Sequence, residues 1–476
     1  MRQKNMLGRS AVEVEVQELV PTDPSSGEGI RPRQTMKAQS GLIAAPWLIL
    51  ALLSFGSLLS GFDRLLLVML IEPIQQDLLI SDVEVGILLG PAFAVFHLAA
   101  ALPVGWLVDR ISRPRIIAVG LAVWSGATAA SGLGSSFIHL LLARCFVGAG
   151  EASLSPAGQS LLSDLFPKEK LARAMAIVQS GSNIGAGFAF LLGGGLITIL
   201  SVFQPANLPG IGAVHTWQLA FLIAGVPGII LAAVILMIKD PRRVKNVPAR
   251  QSSLRPLLLF IRSRWSSLAA LIGALACMCV VQYAFMSWVP ALLVRNRGFG
   301  LIEVGVMMGV GVGVCGMLGC LLGGTLGDYW LKRGHKAAYM WVGIVSALCS
   351  APLGMAFLFI EHSYALSFIL IWLYLIAAHL SVPGIQAGLQ LTTPQQFKGQ
   401  IAAITIITTN LVGMGLGPVL VPLLGRFFGT SNDLSLPLAA VMMIFLGVML
   451  AICLLGRRPM AAALSSDVAP QVHQAC

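Results

Sequence analysis

The stretch GWLVDRISRPR, from Gly105 to Arg115, lies between two apolar segments and marks an internal repeat of the chain. Its beginning, Gly105-Trp-Leu-Val-Asp109, matches Gly324-Thr-Leu-Gly-Asp328 at an offset of 219 positions. The shorter stretch Glu84-Val-Gly86 matches Glu303-Val-Gly305 at the same offset of 219. Two independent matches at one offset indicate that the two halves of the chain arose by duplication.

The composition is that of a membrane protein. Of the 476 residues, 57% are hydrophobic and 11% are charged, whereas soluble domains carry about 25% charged residues. A water-soluble fold is therefore excluded, and we predict an all-α integral membrane protein. Apolar runs near the ~20 residues that cross a bilayer recur twelve times. The predicted spans are 46–71, 83–108, 115–134, 138–163, 172–200, 217–238, 266–293, 302–327, 337–359, 364–390, 399–424 and 435–455.

The duplication divides the twelve predicted helices into two halves of six. We predict an N-terminal bundle over 46–238, a cytoplasmic linker over 239–264 and a C-terminal bundle over 265–456. The tails 1–45 and 457–476 are predicted to be cytoplasmic, and the first of them is predicted to be disordered because it holds no apolar stretch. Parallel repeats of six spans are an architecture of transporters.

The basic residues report the orientation of the chain. The net charge is +11, and 26 of the 31 Lys and Arg residues fall in the tails, in the loops that follow even-numbered spans, or in the first two residues after those loops. The opposite loops hold Arg295, Arg297 and Arg426. The positive-inside rule then places both termini in the cytoplasm, so the basic excess is not a nucleic-acid footprint. The absence of any N-x-[ST] acceptor favours a bacterial inner membrane.

The loop GWLVDRISRPR resembles the G-x-x-x-D-R-x-x-R-R/K signature of the major facilitator superfamily and departs from it at Pro114. Within that superfamily the chain is similar to the spinster-like branch. The stretches that carry the resemblance are FDR (62–64), SDVEVGILLGPAF (81–93), LARCFVGAGEASLSPAG (142–158), SDLFP (163–167) and GLGP (415–418). The resemblance implies the twelve-helix major facilitator fold. It also implies transport of lysolipids, sphingoid lipids or small organic molecules, coupled to protons or another gradient.

Four ionisable residues lie inside predicted spans, where a charge costs about 2.5–3.5 kcal/mol on insertion scales. Asp63 and Arg64 belong to span 1, and Arg144 and Glu151 belong to span 4. Arg144 and Glu151 are two helical turns apart and so share a face, and the glycines between them let another helix approach. The resemblance places spans 1, 4, 7 and 10 around a central cavity, which would give these charges access to water.

Two interpretations of the four charges remain open. They could pair only to hold the N-terminal half together, a role in which buried ions often add no net stability. Alternatively, Asp63 and Glu151 take up and release protons, because burial favours the neutral carboxyl and a nearby arginine favours the charged one. The resemblance implies coupling and binding roles at all four positions. We therefore predict Asp63 and Glu151 as the proton-coupling residues.

Substrate-binding residues are predicted on the same four cavity-lining spans. Besides Arg64 and Arg144, the candidates are Gln282, Tyr283 and His379. A hydrogen-bonded packing role for His379 stays open, and His97 in span 2 is a weaker candidate. Phe285, Met286 and Trp288 would give the cavity an apolar wall, unless these side chains pack against neighbouring helices instead.

A cytoplasmic gate is predicted at the repeated loop motif. Its residues are Gly105, Asp109, Arg110, Arg113 and Asp328. Asp109 lies at the end of span 2, where it could bond to the N-terminus of span 11 or to an arginine in one conformation only. A plain topogenic role would account for Arg113, but it does not explain the repeated Gly and Asp.

We predict a secondary transporter that works by alternating access, is coupled to protons and moves an amphipathic lysolipid-like or sphingoid substrate. The alternative is a proton-coupled symporter of small organic anions or sugar acids, and a non-transporting membrane sensor is a third hypothesis. An enzyme is not expected, because the sequence lacks H-E-x-x-H, G-x-S-x-G and the ATP-binding G-x-x-x-x-G-K-[ST]. The predicted partners are the bilayer, the substrate and protons. No metal, cofactor or nucleic acid is predicted, and we expect a monomer.

Overall fold

The computed structural model describes residues 46–108, 110–202, 206–208, 212–240, 254–359, 363–430 and 433–466. These residues are almost entirely helical. The one exception is a short hairpin between spans 5 and 6, in which strand Ala206–Leu208 pairs antiparallel with strand Gly212–Val214. The predicted disordered tail 1–45 lies outside the described residues.

The first six spans form the N-terminal half. Spans 1 to 6 are, in order, Pro46–Met69; Asp82–Leu89 with Pro91–Val108; Arg113–Ser131; Phe137–Glu151 with Leu154–Leu165; Lys168–Ser201; and Thr216–Leu236. A short helix, Ile71–Leu78, follows span 1.

The last six spans form the C-terminal half, and two of them contain a π-helical segment. Spans 7 to 12 are, in order, Trp265–Arg297; Leu301–Val310, π-helix Gly311–Cys315 and Gly316–Lys332; Ala338–Phe359; Tyr364–His379 with Ser381–Thr392; Lys398–Thr409, π-helix Asn410–Met414 and Gly415–Phe428; and Ser435–Ser466. A 3-10 turn, Gln395–Phe397, precedes span 11.

The number of spans agrees with the sequence prediction. Eleven of the described helices are long and apolar enough to cross a membrane. The helix Arg113–Ser131 is the twelfth; it is less apolar because its first turn carries Arg113 and Arg115. The all-α membrane fold of twelve helices is thus confirmed, with the small hairpin as an addition that the sequence did not predict.

Two helices extend beyond the predicted elements. Span 12 continues to Ser466, past the predicted end of the C-terminal bundle at 456. Part of the predicted linker 239–264 is also helical. The helix Leu254–Ser263 lies there, and one residue separates it from the start of span 7. The rest of the linker, 241–253, and the end of the tail, 467–476, lie outside the described residues.

The two halves pack together on one side of the molecule. We call the side where span 1 begins and span 12 ends the terminal side, and the other the opposite side. On the opposite side Asp82–Leu89 contacts Gly415–Phe428, and span 5 contacts Leu301–Val310. One apolar core joins the halves there, since it includes Leu66 and Phe190 together with many residues of spans 7 to 12.

The repeated motif Glu-Val-Gly builds this contact twice. Glu84 accepts a hydrogen bond from the Ser81 backbone N–H at 2.7 Å, and Glu303 accepts one from Gly300 at 3.0 Å, so each glutamate caps the start of its span. The glycine two residues later faces the other half. A methyl group at Gly86 would lie 2.8 Å from the Pro418 carbonyl oxygen, and one at Gly305 would lie 2.5 Å from that of Phe190.

Arg295 adds an ionic contact between the halves on the opposite side. This residue, near the end of span 7, bonds to Glu72 and Gln75 and lies 2.9 Å from Asp82, all of which belong to the N-terminal half. On the terminal side the second repeated motif has no such packing, because a methyl group at Gly105 or Gly324 would meet no atom within 4 Å. The described conformation is therefore closed on the opposite side and unpacked around these two glycines.

Candidate functional site

Span 1 and span 4 form an ion pair in the middle of the N-terminal half. Ser60 and Arg64 lie one turn apart on span 1, so both reach the same partner. The Ser60 hydroxyl donates to Glu151 Oε1 at 2.7 Å, and Arg64 Nη2 pairs with the same oxygen. The Glu151 side chain is 3% exposed and that of Arg64 is 27% exposed, so only the arginine is open to solvent.

The glycines of span 4 allow the close packing that holds Glu151 in place. A methyl group at Gly148 would lie 2.5 Å from the Phe93 carbonyl oxygen in span 2, and one at Gly150 would lie 2.7 Å from that of Gly120 in span 3. The predicted close approach at the R-x-x-x-G-x-G stretch is confirmed.

Asp63 and Arg144 lie in the same half but do not join that pair. The Thr128 hydroxyl of span 3 donates a hydrogen bond to Asp63 Oδ2. Arg144 is buried, its guanidinium lies 5.9 Å from the centre of the Phe221 ring, and its Nη2 has no hydrogen-bond partner among the described residues. Although Arg144 shares span 4 with Glu151, the arginine that pairs with Glu151 is Arg64.

The C-terminal half contributes Tyr283 to this cluster. The Tyr283 side chain of span 7 lies close to Arg64, and it packs against the apolar core of the N-terminal half. Gln282 precedes Tyr283 on the same helix, and its Nε2 is buried without a partner in the described part of the chain. Arg64 thus pairs with an acid of its own half and lies beside a tyrosine of the other half.

Span 2 completes the surroundings of Arg64 with two rings. The Arg64 guanidinium lies 5.0 Å above the Phe93 ring, which stacks on His97 at a centroid distance of 5.3 Å. His97 Nδ1 lies 3.2 Å from the Gly148 carbonyl, one turn before Glu151. From the sequence His97 is a weaker candidate, because the family resemblance places span 2 partly away from the cavity. A periodicity argument would have found it, since residues 93 and 97 share a helical face.

Unsatisfied polar atoms concentrate at this cluster. Glu151 Oε2, Arg64 Nε and Arg144 Nη2 are all buried and lack hydrogen-bond partners among the described residues. A buried charged atom without a partner is costly, so these atoms are poised to exchange partners or to accept a ligand. Two acids and two arginines that are unequally paired can shift between pairings when one acid gains a proton.

The comparison with known proteins agrees with this architecture. Residues 53–418 match the major facilitator superfamily, which is more than half of the chain. The chain belongs to this superfamily. A bacterial homologue of the human lysosomal transporter Spinster, solved in an inward-facing and unoccupied conformation, has the same fold with a TM-score of 0.77 and 23% identity. That match covers 88% of this chain and 98% of the homologue.

Three curated relatives of this major facilitator are informative. An MFS-type efflux pump of Mycolicibacterium smegmatis is 27% identical over 79% of this chain and 84% of its own length. The protein spinster of Drosophila melanogaster is 27% identical over 68% of this chain and 53% of its own. A probable galactarate/D-glucarate transporter of Bacillus subtilis is 25% identical over 62% of this chain and 67% of its own length. The chain is a spinster-like member of the superfamily, and its relatives are membrane transporters.

Several other predicted site residues of this major facilitator lie within the C-terminal half. His379 is held by a hydrogen bond to the Leu375 carbonyl at 2.8 Å and packs beside Gly316, so its described contacts are those of a packing residue. Phe285 and Trp288 are fully buried: Phe285 stacks on Tyr374, and Trp288 Nε1 donates to the Pro418 carbonyl at 2.7 Å. These two rings do not form the predicted apolar wall of the cavity. Met286 is partly buried.

Arg113, predicted as a gate residue, is a buried clamp. Its guanidinium pairs with Asp164 at 2.6 Å and Asp240 at 2.7 Å, and it donates to the Ser160 carbonyl at 2.8 Å. These contacts join the ends of spans 3, 4 and 6 within the N-terminal half, so they do not form a gate between the halves. The Arg113 side chain is fully buried among these contacts.

The remaining gate candidates lie near the terminal side. Asp109 lies outside the described residues, and its neighbour Arg110 is exposed with its guanidinium 3.5 Å from the Trp106 ring. Asp328 accepts a hydrogen bond from the Tyr339 hydroxyl at 3.0 Å, within its own half. Gly105 is exposed and has open space beside it.

Proposed function

We propose that this transporter is a secondary, proton-coupled carrier in which Asp63 and Glu151 bind the coupling protons. The observation that carries the proposal is the position of Arg64, which pairs with Glu151 and lies beside Tyr283. Because Tyr283 belongs to the other half, a change in the charge of Glu151 acts on a contact between the halves. Protonation can then bias the equilibrium between two conformations.

The proposed cycle is an exchange of partners. When Glu151 is ionised, it forms an ion pair with Arg64. When Glu151 gains a proton, it loses its negative charge and the ion pair is lost. Arg64 then becomes free for an anionic group of the substrate. Arg144, whose Nη2 has no partner among the described residues, supplies a second cationic contact close to Asp63. Bidentate pairing of a guanidinium with a carboxylate or phosphate is the strongest interaction of this type.

The substrate that fits best is an amphipathic molecule with an anionic head, as in a lysolipid or sphingoid phosphate. Phe93 lies beneath Arg64 and Phe221 beside Arg144, so each cationic group has an apolar neighbour. A sugar acid is the second candidate. It is favoured by Gln282, whose unpaired Nε2 next to Tyr283 could bind a hydroxyl group, and by the relative named as a galactarate/D-glucarate transporter.

We further propose that Asp109 and Asp328 belong to a gate on the terminal side and that this side is cytoplasmic. The open space beside Gly105 and Gly324 supports the gate, since closing that side would bring helices next to both glycines. The excess of Lys and Arg on this side supports the orientation. The same proposal includes a bacterial inner membrane and a monomer.

Purified protein in proteoliposomes tests the proposed substrate class. Uptake of a radiolabelled lysophospholipid and of radiolabelled glucuronate should be measured side by side, with pH gradients of both signs. We expect gradient-driven accumulation of the lysophospholipid and little of glucuronate. The reverse result would favour the sugar-acid alternative. Equal fluxes with and without the gradient would contradict proton coupling.

A further inference from the structure

The helix Leu254–Ser263 has one face packed on the protein. Leu257 is buried, and Phe260 stacks on Phe397 of the turn before span 11 at a centroid distance of 5.2 Å. Arg264, which follows the helix, donates to the Ala463 carbonyl of span 12 at 2.7 Å. These contacts fix the helix against the terminal side of the C-terminal half.

The other face of this helix combines apolar and cationic side chains. Leu258 and Leu259 are 61% and 59% exposed, and Trp265, the first residue of span 7, is 65% exposed. Arg255 and Arg262 are exposed on the same face, between the two leucines around the helix axis. Exposed leucines and a tryptophan beside arginines are the composition of helices that lie in a membrane interface.

The sequence that contains the helix carries charges of one sign. From residue 241 to 302 the sequence contains no Asp or Glu, whereas Arg and Lys recur throughout its first part, at positions 242, 243, 245, 250, 255, 262 and 264. Only Arg264 separates the helix from the start of span 7, which places the exposed face of the helix near the level of the lipid head groups. A cationic face at that level complements anionic lipids.

We propose that the face formed by Arg255, Leu258, Leu259, Arg262 and Trp265 binds anionic phospholipid in the leaflet on the terminal side. The two arginines pair with phosphate groups, and the leucines and tryptophan enter the boundary between head groups and acyl chains. An acidic protein partner would satisfy the arginines but would leave no reason for the leucines to be exposed. The inference does not depend on the proposed function, because it concerns a surface outside the Arg64 cluster.

The test compares the full-length protein in nanodiscs of phosphatidylcholine alone with nanodiscs containing 30% phosphatidylglycerol. The melting temperature of the wild type should rise by several degrees with phosphatidylglycerol. The double variant Arg255→Gln/Arg262→Gln should lose most of that rise while melting like the wild type in phosphatidylcholine. Leu258→Ser/Leu259→Ser should also reduce it. The matched control Lys332→Gln/Lys336→Gln, which removes two exposed cations between spans 8 and 9, should keep it.

Each alternative has a distinct result. An equal loss in the control would mean general charge attraction, and it would overturn the proposal. A loss in the arginine variant with none in the leucine variant would indicate a water-facing surface suited to an acidic protein. Stabilisation of the protein in phosphatidylcholine nanodiscs by inorganic phosphate at the same concentration would show that lipid is not required. An unchanged rise in the arginine variant would refute the site directly.

Discussion

Gly86 of span 2 lies directly against the Pro418 carbonyl of span 11, so closely that an added methyl group would stand 2.8 Å from the carbonyl oxygen. The same carbonyl accepts the hydrogen bond of the Trp288 indole. Because this hydrogen bond fixes the position of the Pro418 carbonyl, the carbonyl cannot easily move away from a larger side chain at position 86. The repeat-related Gly305 makes the equivalent contact with span 5, so closure of the opposite side depends on two glycines that the duplication produced.

Replacing Gly86 with alanine should therefore open the opposite side. Overpacking of this kind costs about 1–3 kcal/mol, which shifts a two-state equilibrium by a factor of about 5 to 150. Spin labels at Gln76 and Phe427, two exposed residues of different halves on that side, report the change as a longer distance. Gly126→Ala in span 3 is the matched control, since an added methyl group there would meet no atom within 4 Å, and it should leave this distance unchanged. Equal distances in all three proteins would refute the assignment.

Removing the charge of Arg295 should have a similar effect. Arg295→Gln breaks the pairs with Glu72 and Asp82 that cross between the halves, and the distance between labels at Gln76 and Phe427 should again increase. Arg426 is an exposed arginine that lines a cavity on the opposite side together with Arg295, and Arg426→Gln should have little effect. High salt should lengthen the wild-type distance slightly, because these partly exposed pairs are screened. A wild-type distance in Arg295→Gln would show that apolar packing alone closes this side.

Arg144→Lys separates a binding role from a structural one. Lysine keeps the charge but loses the planar fork that binds an anion in two places. We expect the melting temperature to stay near that of the wild type and the affinity for the transported anion to fall at least tenfold. Arg144→Ala should lower both the melting temperature and the affinity, since it removes the buried cation close to Asp63 and its contact with the Phe221 ring. A large loss of stability in Arg144→Lys with unchanged affinity would make Arg144 a structural residue.

The spans and the repeat could be predicted because they depend on properties that a sequence carries directly. Long apolar runs give the helices, and the common offset of the two motifs gives the halves. The neighbourhood of Arg64, Arg144 and Glu151 followed from the cost of placing charges in a membrane. The exposed Leu254–Ser263 helix was missed because its loop was judged by charge alone.

What the sequence could not provide is the rotation of each helix about its axis. Arg144 and Glu151 share span 4, yet Arg64 is the partner of Glu151, because span 1 turns Ser60 and Arg64 toward that carboxylate. For the same reason the sequence could not show that Phe285 and Trp288 face the interior of the C-terminal half and not the cavity. Arg113 pairs with Asp240, which lies 127 positions away in the sequence. Only the packing of the helices shows that these two residues meet.

The central claim is that protonation of Glu151 drives transport, and Glu151→Gln tests it most directly. Glutamine has nearly the same shape and can still accept the Ser60 hydrogen bond, but it cannot titrate. In proteoliposomes loaded with the transported anion, the variant should still exchange internal for external substrate without a pH gradient. With an imposed pH gradient, its net accumulation should fall at least tenfold below that of the wild type. Glu303→Gln, which alters a helix-capping carboxylate outside the cluster, should accumulate substrate normally. Gradient-driven accumulation by Glu151→Gln at the wild-type level would contradict the account.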